Sequence, residues 1–250
     1  MVRGIEKFRE YFGEYSGQYV FIGGTACDII LGRMGVDFRQ TKDLDMVLLI
    51  EVMNESFTEK FLSFIEAGKY KHINKGTKKN QFYRFEKPEN KEFPYMIELF
   101  GSKPNYFKNI ESRLVPLHIS DETISLSAIL LDDAYYFLLT DGVLLIDGLS
   151  VLKLEYLILF KMKAWLDLTE RKANGDNVDI KNIKKHKNDI LRLAVNMRVE
   201  VNVKITGPVK ADAIRFLEEN KNETVDLNTL GIRGVTYQEV IESIKNCYQI

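Results

Sequence analysis

The chain has 250 residues, with 35 lysines and arginines against 36 aspartates and glutamates, so its formal charge is −1. This balance excludes a strongly basic nucleic-acid coat protein and an acidic disordered tail. Hydrophobic residues make up 45% of the chain, which supplies a sizeable core and excludes global disorder. Two distant cysteines, Cys27 and Cys247, form neither a zinc cluster nor a disulfide scaffold, which favours a reducing compartment.

Targeting and membrane signals are missing from the sequence. Residues 1–15 alternate charged and aromatic side chains and have no apolar core of a signal peptide. Charged residues interrupt the most apolar stretches, 135–146 and 149–168, so neither provides the roughly 20 apolar residues of a membrane span. We expect a soluble, cytoplasmic protein without a membrane partner.

The first 150 residues are rich in predicted strands. Helical spacing of apolar residues predicts helices at 5–15, 25–31 and 56–67. Short apolar runs predict strands at 19–22, 45–50, 81–85, 95–100 and 113–119. Segments 135–140 and 143–146 flank Asp141-Gly142 and predict a β-hairpin.

The pattern changes to helices after residue 150. Amphipathic spacing predicts helices at 154–170, 180–197, 210–220 and 237–247. Strands followed by helices indicate the α+β class, with a helical C-terminal module. We therefore predict a strand-rich domain at 1–150 and a helical domain at 151–250.

The turn Gly23-Gly24-Thr25 lies where a predicted strand ends and a helix begins. Glycines let a phosphate approach the backbone, and a helix N-terminus supplies free N–H groups. The Thr25 hydroxyl could cap the helix or bond a phosphate oxygen. A plain tight turn with a helix cap explains the same residues without a ligand.

Three acidic residues form a candidate metal site. Asp43 and Asp45 stand two apart at the start of a strand, so both carboxylates lie on one face. Glu98 is the one acid inside the apolar strand 95–100, where it faces either solvent or a site. Three converging carboxylates would suit two-metal transfer of a phosphoryl or nucleotidyl group. Each acid taken alone is also compatible with a solvated strand end.

The order of these features resembles the DNA polymerase β-like nucleotidyltransferase superfamily. The Gly-Gly-Thr of residues 23–25 and the Arg-Gln-Thr-Lys-Asp-Leu-Asp of residues 39–45 look most like the AbiEii-type toxin nucleotidyltransferases. The resemblance implies a nucleotidyltransferase fold with a mixed β-sheet and a helical C-terminal module. One departure is Glu98, since the superfamily more often has Asp there. Another is Lys42, which directly precedes Asp43 and either pairs with the acids or points away.

The resemblance also implies further nucleotide-binding residues. Arg39 and Thr41 would hold phosphates or order the loop, although a simple turn accounts for them equally well. Lys161 aligns with a lysine that reaches the nucleotide triphosphate. Either Asp176 or Asp179 would be an acid near the site, and the sequence leaves that choice open.

By this resemblance the protein is an Mg²⁺-dependent (or Mn²⁺-dependent) enzyme that moves an NMP from an NTP to an acceptor hydroxyl. The implied acceptor is RNA, for example a tRNA 3′ end, and the implied partner is an antitoxin protein. The basic segments 69–79 and 181–187 could contact RNA, or they could be solvated surface. The alternatives are a small-molecule acceptor such as an aminoglycoside, and a nucleotide-binding protein of the same fold that has lost catalysis.

Overall fold

A computed structural model describes residues 2–39, 41–49, 52, 54–75, 82–101, 129, 132–223 and 225–250. These residues confirm the α+β class, because a mixed sheet comes first and helices follow. The chain divides into two compact units, Met1–Lys153 and Leu154–Ile250. All the described strands lie in the first unit, and the described regular structure of the second unit is helical.

The first unit combines the sheet with four helices among its described residues. Its elements are α1 (Ile5–Phe12), a 3₁₀ segment (Gly13–Gln18), β1 (Tyr19–Phe21), α2 (Gly23–Arg33), β2 (Asp43–Leu48), α3 (Glu55–Gly68), β3 (Tyr70–Lys75), β4 (Phe82–Pro88), β5 (Met96–Gly101), α4 (Asp133–Asp141), β6 (Val143–Ile146) and β7 (Leu149–Leu152). The predicted strand at 113–119 lies outside the described residues.

The described strands form a seven-stranded sheet in the order β3-β4-β5-β2-β1-β7-β6. The pairs β2–β5 and β1–β7 are parallel, and the other pairs are antiparallel. The sheet is therefore mixed, as predicted. Strands β2 and β5, which carry the three candidate acids, are direct neighbours near its centre.

One face of the sheet packs on an aromatic cluster from α1 and α3. The Phe8 ring of α1 lies 5.0 Å from the Phe21 ring of β1 and 5.8 Å from the Phe64 ring of α3. The Phe61 ring lies 5.6 Å from the Phe85 ring of β4. Because side chains alternate along a strand, the even-numbered residues of β2 share this apolar face. The odd-numbered residues, Asp43 and Asp45 among them, lie on the opposite face.

The hairpin predicted around Asp141-Gly142 is wrong. Residues 133–141 form helix α4, and its N-cap Asp132 accepts a hydrogen bond from the Ala134 amide at 2.9 Å. Tyr135, Leu138 and Leu139 are buried at helical spacing. Residues 133–141 and 143–146 both contain apolar, β-forming residues. The Asp132 N-cap is the sequence feature that indicates a helix rather than a strand for the first of them.

The hairpin in this region joins β6 and β7 instead. Its turn is Asp147-Gly148, and both residues have positive φ angles, 48° and 79°. Two consecutive left-handed residues are what a two-residue hairpin loop requires, and Asp-Gly is a favoured pair for it. The sequence contains two Asp-Gly pairs close together, and the second forms the turn.

Strand β3 was not predicted, because its residues fall in the basic segment 69–79. Its backbone pairs with β4 in antiparallel register, with Tyr70 opposite Pro88 and Lys75 opposite Tyr83. The strand lies at the end of the sheet order. Lysine-rich sequence is common on edge strands, where it discourages pairing with other chains.

The second unit is helical. It contains α5 (Leu154–Ala173), α6 (Ile180–Ala194), α7 (Gly207–Asn220), a 3₁₀ turn (Leu227–Leu230) and α8 (Tyr237–Tyr248). Within its core the Trp165 ring of α5 meets the Phe216 ring of α7 edge-on at 5.1 Å. Across the described residues of both units, no helix is long and apolar enough to cross a membrane.

Candidate active site

The two glycines after β1 allow side chains of β2 and its approach loop to come close to helix α2. Gly23 has a φ of +59°, and a Cβ atom there would lie 2.3 Å from Asp45 Oδ2. A Cβ at Gly24 would lie 2.6 Å from Thr41 Oγ1. Any side chain at either position would therefore displace a predicted site residue. The Gly24 amide donates a hydrogen bond to Asp45 Oδ2 at 3.2 Å.

Thr25 joins the start of α2 to the start of β2. Its side chain is fully buried. Its hydroxyl donates to the Asp43 carbonyl oxygen at 2.6 Å and accepts from the Asp45 amide at 3.3 Å. The hydroxyl thus orients the backbone that carries both aspartates. The cap and phosphate roles considered from the sequence are not needed to explain why a threonine stands here.

The three acids lie on one face of the sheet. In the parallel register of β2 and β5, Asp45 stands opposite Glu98 and Asp43 stands opposite Met96. Side chains at paired positions point to the same face. Asp43 and Asp45 are partly accessible, whereas Glu98 is 7% exposed. The strand register therefore brings together the residues that the sequence predicted to converge.

The groups around Glu98 have opposite effects on the pKa of its carboxyl group. Burial is the largest influence on Glu98 and raises the pKa of its carboxyl group, and the nearby charge of Asp43 raises it further. The Arg84 guanidinium and a hydrogen bond with the Asp45 side chain act in the other direction without reversing the shift. Carboxyl groups in contact share a proton or need a cation, since both cannot ionise cheaply.

Arg84 is a site residue that the sequence pattern does not predict. It lies on β4 directly opposite Glu98 in the antiparallel register. Its Nε donates to Glu98 Oε1 at 2.8 Å, and its Nη2 makes a close hydrogen bond to the same oxygen. A buried acid on an apolar strand indicates that a counter-charge must exist. Which cation supplies it depends on the strand register, which a sequence does not reveal.

The loop before β2 places two predicted residues beside α2. The Arg39 guanidinium stacks on the Phe38 ring, 5.1 Å from its centroid. One of its terminal nitrogens lies 3.7 Å from the Cβ position that a side chain at Gly24 would occupy. Arg39 and Thr41 therefore both border the first turn of α2. Lys42 is exposed.

The donor set of the site fits a divalent cation in part. Hard cations such as Mg²⁺ prefer oxygen ligands and often take one or two carboxylates plus substrate phosphates. Asp43 and Asp45 meet this description. Within the described ranges, however, no three His, Cys, Asp or Glu side chains are arranged as a metal site. One oxygen of Glu98, Oε1, already accepts hydrogen bonds from Arg84.

The remaining predicted residues lie in the second unit, and each has a local partner. Lys161 is 5% exposed, and its Nζ donates to Asp189 Oδ2 at 2.8 Å. Asp176 Oδ2 accepts from Arg171 Nε at 3.0 Å. Asp179 is the N-cap of α6 and accepts from the Lys181 amide at 2.9 Å. These contacts explain the three residues structurally, and their nucleotide-binding roles stay predictions.

Comparisons with known proteins find structural similarity but no sequence match. The sequence matches no family model and no curated protein. The structure is similar to the crystal structure of the Megavirus polyadenylate synthase, with a TM-score of 0.43 and 12% sequence identity. The match covers 88% of this chain and 36% of that one, so this chain spans about a third of its length. A similarity this distant assigns neither family nor activity, and the proposals below depend on the residues of the site.

Proposed function

We propose that this protein is a nucleotidyltransferase that uses a divalent cation, Mg²⁺ or Mn²⁺, to move an NMP from an NTP to an acceptor hydroxyl. The observation that carries the proposal is the convergence of Asp43, Asp45 and Glu98 on one sheet face, beside the glycine turn that opens α2. A cation bound there would neutralise triphosphate charge and orient the α-phosphorus. The two aspartates are the ligands that we propose for it.

The chain's own residues would divide the remaining work. Gly23, Gly24 and Thr25 shape the turn, and Arg39 and Thr41 at its rim would contact the phosphates. The acceptor oxygen would attack the α-phosphorus in line, forming one P–O bond while the bond to pyrophosphate breaks. Glu98 would accept the proton of the acceptor hydroxyl. A raised pKa makes the carboxylate a stronger base, which suits this role.

For the acceptor we propose RNA, including a tRNA 3′ end, with an AbiEii-type toxin role and an antitoxin protein as partner. The support is the sequence resemblance in residues 23–25 and 39–45, together with a basic helix face. Lys181 and Lys184 of α6 are exposed, and such lysines can contact RNA phosphates. A small-molecule acceptor is the alternative within the same chemistry, and activity with an aminoglycoside but not RNA would favour it.

A second candidate is a protein that binds nucleotide without transferring it. The buried Arg84–Glu98 pair favours this candidate, because a guanidinium already neutralises the third acid. Such a protein would bind an NTP but release no pyrophosphate with any acceptor. The two candidates therefore differ in a single product.

The test is pyrophosphate release with each of the four NTPs and Mg²⁺, with and without total tRNA. The matched variants are Asp43→Asn and Asp45→Asn, with Asp133→Asn as control because Asp133 is an exposed acid on α4. We expect tRNA-dependent release that falls by roughly 100-fold or more in the site variants and is unchanged in the control. Full activity in both site variants would refute the metal assignment. Nucleotide binding without any release would favour the second candidate.

A further inference from the structure

We propose that Arg84 is a positioning residue of this site, which holds Glu98 so that the carboxylate acts through one oxygen, Oε2. This inference depends on the proposed nucleotidyl transfer. Its basis is geometric: Asp45, Glu98 and Arg84 occupy paired positions on β2, β5 and β4, in one row across three adjacent strands. All three side chains therefore lie on the face opposite the aromatic cluster.

The contacts of Glu98 Oε1 carry the argument. Arg84 Nε and Nη2 both donate to this oxygen, so its two lone pairs are engaged by guanidinium N–H groups. An oxygen in that state is a poor ligand for a cation and a poor acceptor for another proton. Any contact of Glu98 with a cation or an acceptor hydroxyl must then use Oε2.

The length of the glutamate side chain explains why it needs a positioning partner. Glu98 has one more rotatable bond than an aspartate, so its carboxylate can adopt more positions. The fork of an arginine fixes a carboxylate in direction as well as distance, which a lysine ammonium does not. The Arg84 side chain is itself only 15% exposed, so the surrounding structure restricts it too. The pair thus replaces the rigidity that a shorter acid would have.

The experiment compares Arg84→Met and Arg84→Lys with the wild-type protein, and uses Arg33→Met as control because the Arg33 side chain is 60% exposed. For each we would measure kcat and KM for the NTP, and separately the affinity for Mn²⁺ by electron paramagnetic resonance. We expect Arg84→Met to lower kcat roughly 10- to 100-fold with KM changed less than about threefold. Arg84→Lys should recover part of kcat, because it restores the charge but not the fork.

Mn²⁺ affinity gives the readout that is independent of turnover. Removing a cation from beside Asp45 and Glu98 should leave Mn²⁺ binding unchanged or tighter, whereas a collapse of the site would weaken it. If circular dichroism shows that Arg84→Met does not fold, Arg84→Lys is the test: we expect it to lower kcat while KM stays unchanged.

Three results would overturn the inference: a wild-type kcat in the Arg84 variants, a change confined to KM, or loss of Mn²⁺ binding together with kcat. In each of these cases the wild-type enzyme is active and the proposed function survives. A wild-type protein that transfers no NMP under any condition would instead refute the proposed function, and the inference with it.

Discussion

Each unit of this protein contains a buried ion pair, and the two pairs have different neighbours. The Arg84–Glu98 pair of the sheet unit lies beside Asp45 and within the field of Asp43. The Lys161–Asp189 pair of the helical unit is more deeply buried, with side chains 6% and 0% exposed, and Arg192 lies 3.8 Å from the same aspartate. The first pair therefore has further carboxylates as neighbours, whereas the second has a further guanidinium.

This difference distinguishes a candidate site from a structural contact. A buried pair whose partners satisfy one another holds two helices together and needs no ligand. A group of neighbouring carboxylates with perturbed pKa values is more common at functional sites. We therefore expect the chemistry to occur in the sheet unit. In the helical unit we expect Lys161 to contribute to folding stability.

The largest expected effect on stability is that of Lys161→Met. The change leaves Asp189 buried without its ammonium partner, and we expect a loss of roughly 3–5 kcal/mol in the free energy of unfolding. Urea denaturation would measure it. Lys163→Met is the matched control: Lys163 lies on the same helix as Lys161 and pairs with Asp212 but is 30% exposed, so we expect a loss below about 1 kcal/mol.

The same variant also tests the predicted role of Lys161 in nucleotide binding. If Lys161 serves only the helical unit, Lys161→Met should keep its KM for the NTP at temperatures where it is folded. A KM that rises tenfold or more in folded protein would restore the predicted contact with the triphosphate and would weaken the contrast between the two pairs.

A smaller loss is expected for Gly23→Ala in the sheet unit. The added Cβ would lie 2.3 Å from Asp45 Oδ2, in a residue with a φ of +59°, and we expect a cost of roughly 1–3 kcal/mol. Gly17→Ala is the control, because a Cβ there meets nothing within 4 Å. Thermal unfolding would compare them. Equal melting temperatures would contradict the close approach of Asp45 to the turn.

A third ion pair, Lys187–Glu223, allows the effect of burial on a charge to be tested by varying the pH. Lys187 of α6 is in close contact with Glu223, yet burial lowers the pKa of its ammonium group to about 8. The unfolded chain then binds more protons than the folded one between about pH 8 and the usual lysine value of about 10.4. The contribution of Lys187 to stability should therefore rise with pH across that window.

Urea denaturation of wild type and Lys187→Met at pH 7.5 and pH 10 would measure this effect. We expect the free energy of unfolding of the wild type to rise relative to that of the variant as the pH rises, by at most about 1.4 kcal/mol for each pH unit. A difference that stays constant or shrinks with pH would mean that Glu223 compensates the burial of Lys187.

The smallest effect concerns the cysteines, one in each unit. Cys27 and Cys247 are 0% and 4% exposed, and burial raises the pKa of the Cys247 thiol to about 11. Both thiols should react slowly with a thiol reagent in native protein and rapidly in urea. Fast labelling of one cysteine in native protein would show that its unit opens locally, and would identify the less stable unit.

Much of the fold could be predicted from local sequence, and the errors have identifiable causes. Short apolar runs located β1, β2 and β5, and helical spacing located the four long C-terminal helices, to within a few residues. The strand prediction at 135–140 was wrong because its aromatic and apolar residues suit a strand as well as a helix. The capping contact of Asp132 and the burial of one helical face decide between them.

The acids and glycines of the candidate site could be predicted from the sequence, but the register of the strands that carry them could not. Two acids at spacing two must share a face of a strand, and a turn of two glycines permits close approach, so both follow from the chain alone. The pairing of Asp45 with Glu98, and of Glu98 with Arg84, requires strands that are distant in sequence to meet in one alignment. Hydrophobic packing of the whole sheet sets that alignment.

The sequence by itself therefore determined the class of the fold, the helical pattern after residue 150, and the acids and glycines available for chemistry. The tertiary structure decided which charges meet. It placed Arg84 on Glu98 in the sheet and Asp189 on Lys161 between helices. Local patterns act over a few residues, whereas a buried charge is stabilised by whichever partner the packing of distant segments brings within hydrogen-bond distance.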